Sequence, residues 1–173
     1  RWGEAMGLRP VDIDPLRGRI NIERNVVKVG GEFIIGTPKT HEKRSVAVAK
    51  KIMDSLVKRA DKTLPDAPLW ESARGGFMPP PQKNTWFWGA VRRCKAKDSD
   101  FPQLSVHGLR HVAAGLLVES GANVKAVQRQ LGHKSAAMTL DTYAELFDDG
   151  LDSVAFALDA SLADVVGLSW DTA

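Results

Sequence analysis

The sequence predicts a mainly α-helical domain with a small three-stranded antiparallel β-sheet near its N-terminus, an α+β fold. Hydrophobic residues recur at helical spacing over much of the chain after residue 50, whereas they alternate in the stretch before it. The chain has 173 residues, of which 43% are hydrophobic, so it can bury a core of its own. We therefore expect residues 1–173 to form one domain.

The predicted sheet is a meander of three strands at residues 19–29, 32–36 and 44–48. Gly30 and Gly31 give the first hairpin turn, because glycine readily adopts the positive φ that tight turns need. The second connection is polar and displays Lys39.

Helical spacing organises most of the remaining chain. Residues 1–8 are expected to be the end of a helix, and Ser105 and Asn123 are predicted to cap later ones, which Gly121 and Gly132 end. Further helices are predicted at 50–60, 84–97, 105–119, 123–131, 135–146 and 147–165.

Charge is distributed unevenly along the chain. All 24 Lys and Arg and 13 of the 21 Asp and Glu lie within residues 1–140, whereas residues 141–173 contain only acidic charges. A body this basic suits contact with a phosphate backbone. A solvated surface without a partner is the alternative, so charge indicates nucleic acid without identifying it.

Cysteine usage and hydropathy exclude other classes. Cys94 is the only cysteine, so no internal disulfide can form, which fits a reducing cytoplasm. No apolar run approaches the roughly 20 residues of a membrane helix, so we expect no membrane partner. The chain begins at Arg1 without a methionine and is expected to be a fragment of a longer protein.

The residues that suggest chemistry cluster between residues 105 and 145. His107, Arg110 and His111 are spaced so that one helical face can present all three. His133 follows, and then Tyr143, the only tyrosine in the chain. Singly, such residues are more often packing or surface groups, so their combination carries the argument.

This pattern resembles the tyrosine recombinase, or phage integrase, family. The family's H-x-L-R-H and L-G-H motifs are matched at residues 107–111 and 131–133, with Tyr143 ten residues on. Its R-x-G-E and L-x-x-x-D-I-D patterns are matched at residues 1–4 and 8–14, and its hairpin lysine by Lys39. The departure at residues 112–114, where the family more often has a Thr-Phe-Ala type of sequence, is interpreted as packing variation.

The resemblance implies a site-specific recombinase of the phage or prophage integrase type. Such an enzyme cleaves and rejoins DNA through a 3′-phosphotyrosine and a Holliday junction, without metal, ATP or another cofactor. Glu4 and a buried His111 would orient the catalytic groups. The implied catalytic residues are Arg1, Lys39, His107, Arg110, His133 and the nucleophile Tyr143.

Phosphodiester chemistry asks for these residue types. The guanidiniums of Arg1 and Arg110 can hold the non-bridging oxygens, on which charge develops. A free tyrosine has a pKa of about 10 and needs a proton acceptor, for which His107 is the predicted base. His133 would bond a phosphate oxygen, and Lys39 would protonate the departing 5′-oxygen.

Partners are predicted partly from charge and partly from the resemblance. Double-stranded DNA with attachment-type sites is expected, with directionality and DNA-bending factors, in the bacterial cytoplasm or nucleoid. The family implies a homotetramer on DNA, whereas the isolated fragment could be monomeric. The tail, residues 147–173, is expected to dock on a neighbouring protomer or to fold back on its own domain. Further DNA contacts are predicted for Lys43, Arg44, Arg92, Arg93, Lys95 and Lys97.

Three alternatives remain open from the sequence. A type IB topoisomerase-like enzyme would nick and reseal DNA without requiring paired sites. An inactive DNA-binding module would bind without forming a covalent adduct. A metal enzyme using His107, His111 and His133 would lose activity in a chelator, although the positive charge of Arg110 disfavours a bound cation.

Overall fold

The computed structural model describes residues 1–38, 43–82, 85–147 and 150–166, with the backbone alone for residues 150–153 and 163–166. The helices are α1 (Trp2–Met6), α2 (Lys50–Ala60), α3 (Trp86–Lys97), α4 (Gly108–Glu119), α5 (Val124–Leu131), α6 (Ala136–Tyr143) and α7 (Gly150–Val166). Short 3₁₀ turns lie at Pro10–Asp12 and Ala144–Phe147. The strands are β1 (Ile13–Asp14), β2 (Arg19–Ile22), β3 (Asn25–Val29), β4 (Glu32–Gly36) and β5 (Arg44–Ala47).

The fold class is confirmed, but the predicted meander is wrong. A three-stranded antiparallel sheet is present with the order β1-β2-β5, and Ile20 of β2 lies opposite Val46 of β5. Strands β3 and β4 form a separate two-stranded hairpin. Gly30 and Gly31 turn this hairpin with φ angles of 58° and 96°, as predicted.

The interruption at Glu23 and Arg24 explains the difference, because it divides the predicted strand 19–29 into β2 and β3. Arg24 bonds the carboxylate of Asp12, and its Nε donates to the carbonyl oxygen of Gly7 over 3.1 Å. Asp12 is buried, so this charge-assisted pair holds the chain away from a continuous strand. β5 therefore pairs with β2 rather than with β4.

Most predicted helix boundaries are confirmed within a few residues. The Asn123 side chain caps α5 by accepting from the N–H of Ala126 over 2.9 Å, and Gly132 ends that helix with φ 68°. Helix α4 begins at Gly108, later than predicted, because Ser105 instead caps the preceding turn by accepting from the Gly108 N–H.

The buried hydrophobic side chains form two clusters. The first, between the sheet and α2, consists of Leu8, Ile20, Ile22, Met53, Leu56 and Leu69. The second, between α4, α5 and α6, consists of Ala114, Val127, Leu131 and Tyr143. The Gln130 amide joins α5 to β5, because it accepts from Ala47 N–H over 2.9 Å and donates to Ala47 O over 2.6 Å. In the ranges given above, none of the helices has the length and apolar composition needed to cross a bilayer.

Candidate active site

Arg1 connects the first helix to the loop that follows α5. Its Nη1 donates to Glu4 Oε1 over 2.9 Å, and its Nη2 donates to the carbonyl oxygen of Gly132 over 3.0 Å. Gly3 allows α1 to lie against β3, because a Cβ at Gly3 would stand 2.4 Å from the carbonyl oxygen of Val26. Glu4 of the R-x-G-E pattern and the carbonyl oxygen of Gly132 together hold the Arg1 guanidinium in place.

Glu4 is a buried carboxylate between two arginines. Arg44 donates to it through Nη1 over 3.1 Å and through Nη2 over 2.6 Å. Burial raises the pKa of Glu4, but hydrogen bonding from Arg44, the charges of the chain's amino group and of Arg44, and hydrogen bonding from Arg1 together lower it to about 2. Glu4 is therefore ionised at neutral pH and accepts hydrogen bonds from both guanidiniums.

Arg44 was predicted to contact DNA, and in the structure it also forms an ion pair with the buried Glu4. Both of its Nη atoms bond Glu4, and its side chain is only 15% exposed. Its guanidinium also lies against Gly132, next to His133. A direct DNA contact by Arg44 stays a prediction.

Helix α4 supplies the second guanidinium. Burial lowers the pKa of Arg110, and the charge of Arg1 lowers it further, whereas Tyr143 and Glu4 act in the opposite direction. Arg110 therefore lies within electrostatic reach of both Arg1 and Tyr143, and it stays charged because arginine does not deprotonate near neutral pH. A cleft of about 670 Å³ is lined by Arg1, Glu4, Arg44, His107 and Arg110, among others.

Tyr143 ends α6 with its ring in the second hydrophobic cluster and only 5% exposed. Its hydroxyl oxygen lies 3.0 Å from Nδ1 of His111. His111 was predicted to be a buried orienting residue, and the burial is wrong, because its side chain is exposed. His107, the predicted base, packs edge-on against His111 with ring centroids 5.4 Å apart.

His133 lies on the other side of the tyrosine, and its ring stacks on that of Tyr143 at 6.2 Å. Its Nδ1 is 2.9 Å from Oγ1 of Thr139, which is fully buried. Burial lowers the pKa of His133, and the charges of Arg110 and Arg1 lower it further, so the imidazole is neutral at neutral pH. If Nδ1 accepts the Thr139 hydroxyl, the ring proton is on Nε2, which can donate to a phosphate oxygen.

Sequence reasoning missed the side chains that hold the His133 loop. The Gln128 amide donates to His133 O over 3.1 Å, and the His133 N–H donates to Gln128 O over 3.0 Å. A glutamine or threonine inside a helix gives no sequence signal for such a role. Only the shared segment with His133 and Tyr143 could have drawn attention to Thr139.

The other predicted site residues are less informative. Lys39 falls within residues 39–42, outside the described residues. Lys43 pairs with Glu23 over 3.0 Å, and the α3 residues predicted to bind DNA are exposed; these are Arg92, Arg93, Lys95 and Lys97. In the part of the chain that the structure describes, no three His, Cys, Asp or Glu side chains are placed to hold a metal ion, so the metal-enzyme alternative gains no support there.

Gly132 provides a test of how tightly the site is packed. Gly132→Ala would force a side chain into φ 68° and place its Cβ 2.6 Å from Arg44 Cζ. Gly76→Ala is the matched control, because Gly76 has the same φ and open space around it. We expect Gly132→Ala to lower the free energy of unfolding by about 1–3 kcal/mol more than the control does, measured by urea denaturation. Equal losses of unfolding free energy in the two variants would show that the Arg44 side chain moves aside without a measurable cost.

Comparison with known proteins identifies the family of this chain. The model of the phage integrase family matches residues 1–149. The chain belongs to the phage integrase family.

This family member is 28% identical over 167 residues to the ICEBs1 integrase of Bacillus subtilis, covering 92% of this chain and 45% of that protein. It is 29% identical over 155 residues to transposase A from transposon Tn554 of Staphylococcus aureus, covering 87% and 41%. It is 28% identical over 148 residues to the integrase of Mycobacterium phage L5, covering 81% and 38%. The chain thus spans less than half the length of these relatives.

Solved structures show the same fold. The Tn1549 transposon integrase in complex with transposon right end DNA matches with a TM-score of 0.71 and 21% identity, covering 90% of this chain and 54% of that one. The XerA recombinase matches with a TM-score of 0.57 and 22% identity, covering 84% and 52%. The fold of this integrase-family chain is therefore that of recombinase catalytic domains.

Proposed function

We propose that this chain is the catalytic domain of a site-specific recombinase of the phage or prophage integrase type, which cuts and rejoins double-stranded DNA through Tyr143. One observation carries the proposal: Arg1 and Arg110 line a common cleft, and Arg110 and His133 both lie close to Tyr143. Two fixed positive charges beside a sole tyrosine match the needs of phosphoryl transfer, which depends on positioning and charge stabilisation.

The reaction follows from these groups. A DNA phosphate in the cleft accepts hydrogen bonds from the guanidiniums of Arg1 and Arg110. His133 Nε2 also donates a hydrogen bond to an oxygen of this phosphate. The O–H bond of Tyr143 breaks and its proton passes to a histidine of the site as Tyr143 Oη bonds to phosphorus. The bond from phosphorus to the 5′-oxygen breaks, and Lys39 supplies a proton to that oxygen. The phosphotyrosine retains the ester bond energy, so a 5′-hydroxyl from another strand reseals the DNA by the reverse step without ATP.

Arg1 retains N–H groups that can donate to the phosphate. A guanidinium carries five N–H groups, and Arg1 directs Nη1 to Glu4 and Nη2 to Gly132. These bonds fix the plane of the guanidinium while leaving further N–H groups for the phosphate. Burial lowers the pKa of Arg110, and the charge of Arg1 lowers it further. Burial also lowers the pKa of His133, and the charges of Arg110 and Arg1 lower it further. The positive charges in the cleft therefore repel one another, and an incoming anion relieves this repulsion.

Assembly on DNA is the second part of the proposal. Four protomers would act on two attachment-type sites, aided by directionality and DNA-bending factors, in the bacterial cytoplasm or nucleoid. The tail would dock on a neighbouring protomer. This is supported by α7, where Val154, Leu158 and Leu162 are 52%, 57% and 57% exposed, since apolar helix faces are normally covered.

The topoisomerase-like and binding-only alternatives are less well supported. The matched relatives are named integrases and transposases, and in the part of the chain described the site has its guanidiniums, histidines and tyrosine together. Strand exchange between two DNA sites is therefore favoured over simple resealing.

The test is incubation of supercoiled plasmid with this chain in EDTA. We expect relaxed plasmid and a detergent-stable protein–DNA adduct, with mass spectrometry placing the nucleotide on Tyr143. An adduct on another residue would overturn the assignment. Binding without an adduct, both in this chain and in a form extended to the length of its relatives, would favour the inactive DNA-binding module.

A further inference from the structure

Among the described residues, one histidine lies within hydrogen-bond distance of the Tyr143 hydroxyl, and it is not the predicted base. Nδ1 of His111 lies 3.0 Å from Tyr143 Oη, and the two ring centroids are 5.6 Å apart. His107, by contrast, lines the cleft with Arg1 and Arg110. The two histidines of the H-x-L-R-H motif thus have different surroundings. His107 lines the cleft proposed for the phosphate, whereas His111 contacts the hydroxyl of Tyr143.

Solvent access differs between the two partners of this hydrogen bond. Tyr143 is 5% exposed, so water reaches its hydroxyl poorly. The His111 side chain is exposed. A proton taken from Tyr143 at Nδ1 can therefore leave the ring from Nε2 to bulk water, and it can return by the same path.

We propose that His111 is a catalytic residue that accepts the Tyr143 proton during strand cleavage and returns it during rejoining, an inference that rests on the function proposed above. In cleavage, the O–H bond of Tyr143 breaks as its oxygen bonds to phosphorus, and the proton passes to Nδ1 of neutral His111. The bond from phosphorus to the 5′-oxygen breaks, and that oxygen takes a proton from the general acid. Rejoining reverses each transfer.

Other titratable and charged groups lie next to the pair formed by His111 and Tyr143, and they affect the direction of proton transfer. His107 packs on His111 from one turn earlier, His133 stacks on Tyr143 from the loop before α6, and Arg110 lies within electrostatic reach of Tyr143. The positive charge of Arg110 favours a developing phenolate, so it assists transfer of the proton to His111. Neither His107 nor His133 needs to touch the hydroxyl.

The sole tyrosine makes the pair directly observable. The chain labelled with 3-fluorotyrosine gives a single ¹⁹F resonance, because Tyr143 is its only tyrosine. We expect this resonance to show an inflection with pH, because a change of protonation on the hydrogen-bonded histidine alters the environment of the labelled ring. The inflection should persist in His107→Gln and disappear in His111→Gln, whose amide can accept a hydrogen bond but cannot take up a proton.

Plasmid relaxation under protein excess tests the chemical role. Since a protonated His111 cannot accept a proton, the parent rate should fall on acidification through the pH of the ¹⁹F inflection. His111→Gln should relax plasmid roughly 10²-fold more slowly, the scale of general acid–base catalysis, with unchanged DNA binding and without that pH dependence. Because His111 is exposed, its replacement leaves the hydrophobic cluster intact, and circular dichroism checks the fold.

The outcomes separate the two proposals. A parent that forms the adduct while His111→Gln reacts equally fast would overturn the role of His111 alone. An inflection that survives in His111→Gln and vanishes in His107→Gln would transfer the role to His107 and overturn the inference. A parent without any adduct, also in the extended form, would overturn the proposed function and with it the proton transfer, even if the ¹⁹F data confirmed the contact.

Discussion

Tyr143→Phe is expected to abolish covalent attachment to DNA while leaving DNA binding intact. The substitution removes the oxygen that forms the bond to phosphorus, so adduct formation should fall by about 10⁴-fold or more, the scale seen when a nucleophile is deleted. The ring stays in its cluster with Ala114, Val127 and Leu131, and no cavity forms. Loss of the hydrogen bond to His111 should cost only about 1 kcal/mol of folding free energy.

The measurement is detergent-trapped adduct on supercoiled plasmid, with binding followed by gel shift. Thr142→Val is the matched control, because the adjacent Thr142 hydroxyl bonds the carbonyl oxygen of Met138 over 3.1 Å. This variant should still form the adduct. Adduct formation by Tyr143→Phe at a rate near that of the parent would mean that another side chain is the nucleophile.

Local patterns predicted most of the helices. Helix α2 occupies the predicted residues, and Arg110 and His111 lie in the first turn of α4, with His107 as its N-cap residue. These features depend on neighbours within a few positions, which a single sequence displays. The family motifs then brought His133 and Tyr143 into the same site, and the structure places these rings against each other.

The errors arise from contacts between distant residues. Nothing near Arg24 indicates that Asp12 and Gly7 hold it, so the break between β2 and β3 could not be predicted. The contact of Tyr143 with His111 crosses 32 positions and depends on how α4 packs on α6. Similarly, the sequence around Arg44 is that of a basic surface turn, and only the structure shows that Arg44 bonds Glu4, 40 residues away.

Glu4 carries the second large prediction, because it is the one anion among the groups that face the cleft from α1, β5 and α4. It is 3% exposed and accepts hydrogen bonds from both Arg1 and Arg44. Glu4→Gln removes the negative charge that the guanidiniums of Arg1 and Arg44 share. It also places the amide N–H₂ of the glutamine, a donor, against the N–H donors of these arginines. Removing one partner of a buried pair costs about 3–5 kcal/mol, so we expect a loss of that size in urea unfolding at neutral pH.

The pH dependence should identify the cause. The pKa of Glu4 falls from its ordinary value of 4.5 to about 2 in the folded chain, so its contribution is complete above about 4.5 and is lost as the pH falls towards 2. A shift of this size corresponds to roughly 3 kcal/mol. The parent should lose that much stability relative to Glu4→Gln over this range, and the variant's curve should be flatter.

Glu23→Gln provides the comparison, because Glu23 pairs with the exposed Lys43 over 3.0 Å and such surface pairs contribute about 1 kcal/mol or less. A Glu4→Gln chain as stable as the Glu23→Gln chain would contradict the account of Glu4 as the anchor of both arginines. If the loss appears and adduct formation falls with it under conditions where the variant is folded, the carboxylate positions Arg1 for the phosphate as well as stabilising the fold. A stability loss without any loss of adduct would restrict Glu4 to folding, because Arg1 would then reach the phosphate without it.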